Sequence, residues 1–299
     1  MKHIAKLMIF TLMLLLATSV VAQDDTSKDD EALKIAAVEA LIAAPPERAL
    51  PLARKVLAGN NSDNVKEKAL FILSQIDAPE AQETLLSFAR EANGPLQAEA
   101  IRMIGIGGND QSLASLQPLY ESGDSEVREA VLEALMIAGD KQTVFEIAMT
   151  AEGEDFENAV DMLGVMGAKA ELRELRGKKG ADEALIDAYA ISGDFESLQQ
   201  LALDDSNAEI QAEAIQAMGI VGGAEVGPTL VRIYRDASSE KIRDAALDGL
   251  MISDDDASVL ELYRSATDSR EKKELLERLV MMDSEEVWSL IDSALEGGL

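Results

Sequence analysis

Catalysis by this chain would have to run without imidazole or thiolate. Its single histidine is His3 and it has no cysteine, which removes the Ser-His and Cys-His nucleophile pairs and histidine-based metal sites. Carboxylate chemistry remains, and paired acids occur at Asp204-Asp205, Asp254-Asp255-Asp256 and Glu285-Glu286. None of these segments has the alternating oxygens, central Gly and distal Glu of a calcium loop. In turns between helices such acids serve as caps. The segments Gly105-Ile106-Gly107-Gly108 and Gly219-Ile220-Val221-Gly222-Gly223 could cradle a phosphate, but no strand precedes them and no phosphate-binding Lys follows. They read as helix ends. The expectation is a chain with no cofactor, no metal and no enzymatic activity.

Two groups of residues stand out as candidates for binding. Lys169, Arg173, Arg176, Lys178 and Lys179 face only Glu171 and Glu174 in their neighbourhood. This positive island could bind an anion or an acidic partner loop, or it could relieve self-repulsion through Glu–Arg pairs within one helix. Tyr120, Tyr234 and Tyr263 each follow an aliphatic residue at one place in a recurring unit. On an inner face they would be contact anchors; as residues that recur with the unit they would belong to the core between units. Trp288 is expected to seal the last unit.

The acids and bases are strongly unbalanced: 56 acidic residues stand against 27 basic ones, for a net charge of −29. Such a field repels phosphate backbones and anionic lipid heads, so nucleic acid is not expected as a partner. A protein partner is, and a basic one would match the field. Lys2, His3 and Lys6 precede an apolar run from Leu7 to Ala17, and Val20-Val21-Ala22 offers a cleavage-like end before Gln23-Asp24-Asp25. This reads as a secretory leader covering residues 1–22, with an acidic linker over 23–31. The apolar run is shorter than the roughly 20 residues of a spanning helix. The expected location is the periplasm or outside the cell, with no integral span once the leader is removed.

The elements that must position these side chains repeat. The apolar residues opening each helical run are Leu33, Val65, Leu96, Val127, Phe156, Ala181, Ile210 and Ile242, with Glu271 as a degenerate ninth; the steps are 32, 31, 31, 29, 25, 29, 32 and 29 residues. Four residues after each stand Ala37, Ala69, Ala100, Val131, Val160, Leu185, Ala214, Ala246 and Leu275. Eight residues after, an apolar residue recurs everywhere except at Gly164. That spacing is one face of a helix. Twelve residues after, Gly139-Asp140 and Gly193-Asp194 pair a helix stop with a cap for the next helix. Each unit is therefore helix, turn, helix, and such units bury their apolar faces only by stacking. The expected fold is all-α: a solenoid of about nine stacked helix-turn-helix repeats over residues 32–299.

The run Ser125-Glu126-Val127-Arg128-Glu129-Ala130-Val131-Leu132-Glu133-Ala134-Leu135, with Glu240-Lys241-Ile242-Arg243-Asp244-Ala245-Ala246 close behind, resembles the HEAT-like repeats of phycobilisome-lyase-related proteins. The resemblance implies a HEAT-like α-solenoid from about Glu31 onward. Enzymatic HEAT-like proteins such as deoxyhypusine hydroxylase hold iron on His-Glu pairs, which this chain lacks. The function expected is an exported, non-enzymatic protein-binding scaffold. A structural subunit of an envelope assembly, and a lyase-type enzyme by analogy with the family, stand as alternatives.

Overall fold

A computed structural model describes residues 25–204, 206–283 and 285–295. The leader expected over 1–22 lies outside the described residues. The protein is an all-α solenoid of stacked helix-turn-helix repeats, and no strand occurs among the described residues. None of the described helices is long and apolar enough to cross a membrane.

The chain forms two compact units that divide after Ala81. The first contains α1 (Asp25–Glu39), a 3₁₀ turn (Ala40–Ala43), α2 (Pro46–Ala58) and α3 (Asp63–Ser74), with α1 and α2 both packed on α3. Residues 25–31, expected as a linker, belong instead to α1. Leu33 and Ala37 are exposed, while Val38 is buried. The apolar spacing is thus offset in α1, which has one first-type helix to pack on rather than two.

Next comes α4 (Pro79–Glu91), most of which belongs to the second unit. It is followed by α5 (Pro95–Gly107), the short α6 (Asp110–Ala114) and α7 (Gln117–Ser122), α8 (Ser125–Ala138), and α9 (Lys141–Thr150). Then come α10 (Glu154–Val165), α11 (Lys169–Leu175), α12 (Asp182–Ser192), α13 (Phe195–Ala202), and α14 (Ala208–Val221). The last five are α15 (Val226–Asp236), α16 (Glu240–Ile252), α17 (Asp256–Ser265), α18 (Ser269–Met281), and α19 (Glu285–Leu295). The first helices α5, α8, α10, α12, α14 and α16 stack each on the next, and second helices such as α9, α13, α15 and α17 pack on the first helix that follows.

From α3 onward, the residues four and eight after each anchor are buried. Helix ends follow the chemistry of the turn. Gly139 and Gly193 are left-handed, and Asp140 and Asp194 then accept hydrogen bonds from the amides of Thr143 and Ser197 at 3.1 and 3.4 Å. Asp255 does the same for Ser258 at 3.0 Å. In all three caps the Thr or Ser hydroxyl also donates to the other carboxylate oxygen, at 2.6 to 2.8 Å.

The glycines that look like helix ends divide into two kinds. Gly108 and Gly222 terminate α5 and α14, but Gly105 and Gly219 are buried inside those helices. A Cβ on Gly105 would stand 2.4 Å from the Ala134 carbonyl oxygen of α8, and one on Gly219 would stand 2.3 Å from that of Gly249 in α16. Gly164, the apparent break in the apolar spacing, meets Ala188 of α12 in the same way, at 3.0 Å. Trp288, expected to seal the last unit, is 55% exposed. The adjacent Val287 takes the buried position, because neighbouring residues on a helix point in different directions.

A Gly105→Ala chain is expected to lose about 2 kcal/mol of stability, since backbone of α8 must move. Gly177→Ala, whose Cβ would meet open space, should stay within about 0.5 kcal/mol. Equal urea midpoints for the two variants would contradict the close approach.

Candidate functional site

The recurring tyrosines lie at a common seam. Tyr120 on α7, Tyr234 on α15 and Tyr263 on α17 are all buried, none more than 9% exposed. Beside each stands the cation one residue after the next anchor: Arg128, Arg243 and Lys272. The Lys272 Nζ sits 5.8 Å from the Tyr263 ring centre, a cation–π arrangement. The hydroxyl of Tyr234 donates to Glu271 Oε1 at 3.1 Å. Burial first, and then the Glu271 charge, hold that phenol well above its usual titration range.

Tyr120 differs in one respect: its hydroxyl is buried with no hydrogen-bond partner among the described residues. Burial, reinforced by Asp155 and opposed by Arg128, raises its pKa, so it stays a neutral O–H. The side chain lines a cavity of about 680 Å³ formed by α7, the start of α8, α9 and the start of α10. Arg128 borders this cavity and is held by Asp155 at 2.6 Å. Ile147, Met149 and Ala151 supply an apolar wall, and Met149 is half exposed. Glu121, Glu146 and Asp155 also line the cavity, so its charge is net negative beside the one guanidinium; the unused phenol donor and the apolar wall suit a flat ligand with an oxygen acceptor at one edge. The phenol could also supply a proton to a group placed there.

At Tyr234 a smaller cavity, about 360 Å³, is bordered by Glu240, Asp244, Asp268, Glu271 and Glu274 with Arg243 and Arg270. Burial and then Asp244 raise the Glu274 carboxyl. Here the phenol is already bonded and carboxylates outnumber cations. Among the described residues no group of three or more His, Cys, Asp or Glu is placed to hold a metal.

The basic segment is engaged across repeats. Lys169 donates to the Gly193 carbonyl at 2.9 Å, and Lys141 reaches the Gly167 carbonyl at 3.4 Å from the equivalent place one repeat earlier. Arg173 grips Asp194 through two nitrogens at 2.6 and 2.8 Å and touches Glu196 at 3.1 Å. Arg176 donates to Gln200 at 2.5 Å. Lys178 donates to the carbonyls of Ala148, Met149 and Ala151 at the end of α9 and lies 4.5 Å from the Phe156 ring centre, a favourable place for a cation. Lys179 is exposed. These partners sit in neighbouring repeats, not in the same helix. Asp194 is only 2% exposed on its side chain. Burial pushes its carboxyl up, but hydrogen bonds from Arg173 and Ser197 outweigh that and leave it lowered.

With this geometry in hand, comparison with known proteins defines the class. The family profile described as HEAT repeats matches residues 83–155 and 195–282, and the chain belongs to that family. A curated relative is the phycocyanobilin lyase subunit alpha of a Picosynechococcus species, 27% identical over 174 residues, which are 50% of this chain and 64% of the relative. The match thus spans a little under two thirds of that relative's length. Among solved structures, a complex of CpcE and CpcF of phycocyanin lyase from a Nostoc species aligns over 83% of this chain and 94% of its own, at 21% identity and a TM-score of 0.30. A chain from a nuclear-import complex containing RanGDP covers 85% of this chain and 37% of its own, at 12% identity and a TM-score of 0.37.

The relationship to a lyase subunit overturns the expectation of an exported, non-enzymatic scaffold. The absence of His and Cys beyond His3 removes imidazole and thiolate routes only. It leaves binding, orientation and proton donation by a buried phenol, and Tyr120 was singled out in the sequence for its recurrence without any sign that its hydroxyl is unspent.

Tyr120→Phe is expected to leave stability unchanged or slightly raised, because it removes an unsatisfied buried hydroxyl, whereas Tyr234→Phe should cost about 1 kcal/mol. Thermal melts of both variants decide this, and an equal loss in each would contradict the difference between the two seams. Asp194→Asn should cost about 2 kcal/mol through the broken ion pair, moderated by the half-exposed Arg173, because Asn caps a helix about as well as Asp. Because the Asp194 carboxyl is lowered in the folded state, its contribution is present above its unfolded value near 3.8 and fades as pH falls through the folded one. The acid limb of a stability-versus-pH curve should therefore be shallower in Asp194→Asn.

Proposed function

We propose that this chain is the HEAT-repeat subunit of a lyase that handles an open-chain tetrapyrrole of the phycocyanobilin type, working with a partner protein. The observation that carries this reading is the similarity over 174 residues to a phycocyanobilin lyase subunit. The Tyr120 cavity supports it chemically. Phycocyanobilin is a flat conjugated molecule with lactam oxygens and two propionates, and the cavity offers an apolar wall at Ile147 and Met149 and a free phenol donor, with Arg128 the one cation among Glu121, Glu146 and Asp155. A propionate or a lactam oxygen would satisfy the Tyr120 hydroxyl. In this role the chain binds and orients the pigment and holds a proton at the Tyr120 oxygen.

Titrating purified protein with phycocyanobilin is expected to shift the pigment's absorption and raise its fluorescence. Tyr120→Phe should weaken binding about threefold to tenfold, the value of one hydrogen bond. A pigment spectrum unchanged at every protein concentration, with no effect of the chain on transfer of the pigment to an acceptor protein, would sink the reading.

A further inference from the structure

Six first helices in a row end on the same anomaly. Ile106, Ile137, Val165, Ile191, Ile220 and Ile252 each occupy the last turn of α5, α8, α10, α12, α14 and α16, and all are between 44% and 54% exposed. Scattered exposed apolar residues are ordinary, but these are in register. Because the six helices stack consecutively, with axes about 8–10 Å apart, the side chains form one ladder along the second unit. The repeat does not need them for its core, since the burying positions of each helix are already filled.

Acids border the ladder on the same face. One turn before Ile137, Ile191 and Ile252 stand Glu133, Asp187 and Asp248; Glu133 and Asp248, toward the ends, are paired with Arg102 and Arg278, while at the centre Asp187 is joined a further turn back by Glu183 and Glu213 on α12 and α14. Burial, then Glu183, Glu209 and Asp187, raise the Glu213 carboxyl against the opposing charge of Lys241, so the negative charges prevail at the middle of the ladder. This charge pattern discriminates among occupants. A second copy of the chain would set acids against acids, and an anionic lipid surface would be repelled. An amphipathic segment with an apolar stripe and flanking lysines or arginines is matched on both counts.

We propose that the ladder from Ile106 to Ile252 is a docking surface for a basic amphipathic helix of a partner protein. The helix lies across the ends of the first helices, with its apolar stripe on the isoleucines and its cations against Asp187 and Glu213. This surface is separate from the Tyr120 cavity, and its occupancy does not depend on the pigment.

The test uses the full chain without pigment and a labelled synthetic amphipathic helical peptide of leucine and lysine, with a scrambled peptide of the same composition as control. The amphipathic peptide is expected to bind, and the Ile191→Ser/Ile220→Ser double variant to bind it about tenfold more weakly while its melting temperature holds. Asp187→Asn/Glu213→Gln should weaken binding and flatten its salt dependence. Equal binding of both peptides, unaffected by the isoleucine changes, would reduce the effect to bulk charge and overturn the proposal. So would an Ile-dependent dimer in sedimentation, which would make the occupant a second copy, or Ile-dependent binding to anionic vesicles. Pigment binding that survives the isoleucine changes keeps the two readings distinguishable.

Discussion

The second unit depends on how closely its first helices can approach one another. At Gly105 against Ala134 and Gly219 against Gly249 backbone meets backbone with no room for a Cβ on the glycine, and at Gly164 against Ala188 a Cβ would be tightly crowded. Such contact lets the larger residues around it, among them Leu132, Leu163 and Ile215, be covered on every side. Close packing of this kind is intolerant of added volume. It also fixes register, because a helix seated on a glycine cannot slide by a residue without driving a side chain into backbone. Everything that recurs along the chain inherits its alignment from these contacts: the Asp caps, the tyrosine seam and the isoleucine ladder.

How far this could be read from the sequence follows from the range of each interaction. Helix pairs were legible because the spacing of four and eight residues and the Gly-Asp turns are local facts. Gly164 looked like a defect and Gly105 and Gly219 like helix ends, because the residue each one meets lies about 24 to 30 positions away and the approach exists only after stacking. The same limit hid the partners of Arg173 and Lys178, which sit one repeat forward and one repeat back. Recurrence marked the tyrosines correctly as a set. It could not separate Tyr234, whose hydroxyl is bonded, from Tyr120, whose hydroxyl is not, since the difference is Glu271 at one seam and Asp155, already bound to Arg128, at the other. The lack of Cys, and of any His beyond His3, bears on imidazole and thiolate routes alone and decides nothing about chemistry that uses neither.

Charge is distributed by the same stacking. With 27 basic residues among 56 acidic ones, cations are scarce, and many are committed between repeats: Arg102 to Glu133, Arg128 to Asp155, Arg173 to Asp194, Lys241 to Glu209 and Arg278 to Asp248. Partly exposed pairs of this kind contribute little energy each. Their effect is to place a cation at chosen seams of a surface that is otherwise negative. A ligand carrying carboxylates is disfavoured over most of such a surface and tolerated where a guanidinium borders an apolar wall. Arg128 beside Tyr120 and Met149 supplies such a cation, but Glu121, Glu146 and Asp155 line the same cavity, and the cavity at Tyr234 has five carboxylates around its two arginines. What separates the two cavities is therefore the phenol, unbonded at Tyr120 and bonded to Glu271 at Tyr234, and not the balance of charge around it; at the centre of the isoleucine ladder, where Asp187, Glu183 and Glu213 outnumber Lys241, that balance favours a partner of opposite charge.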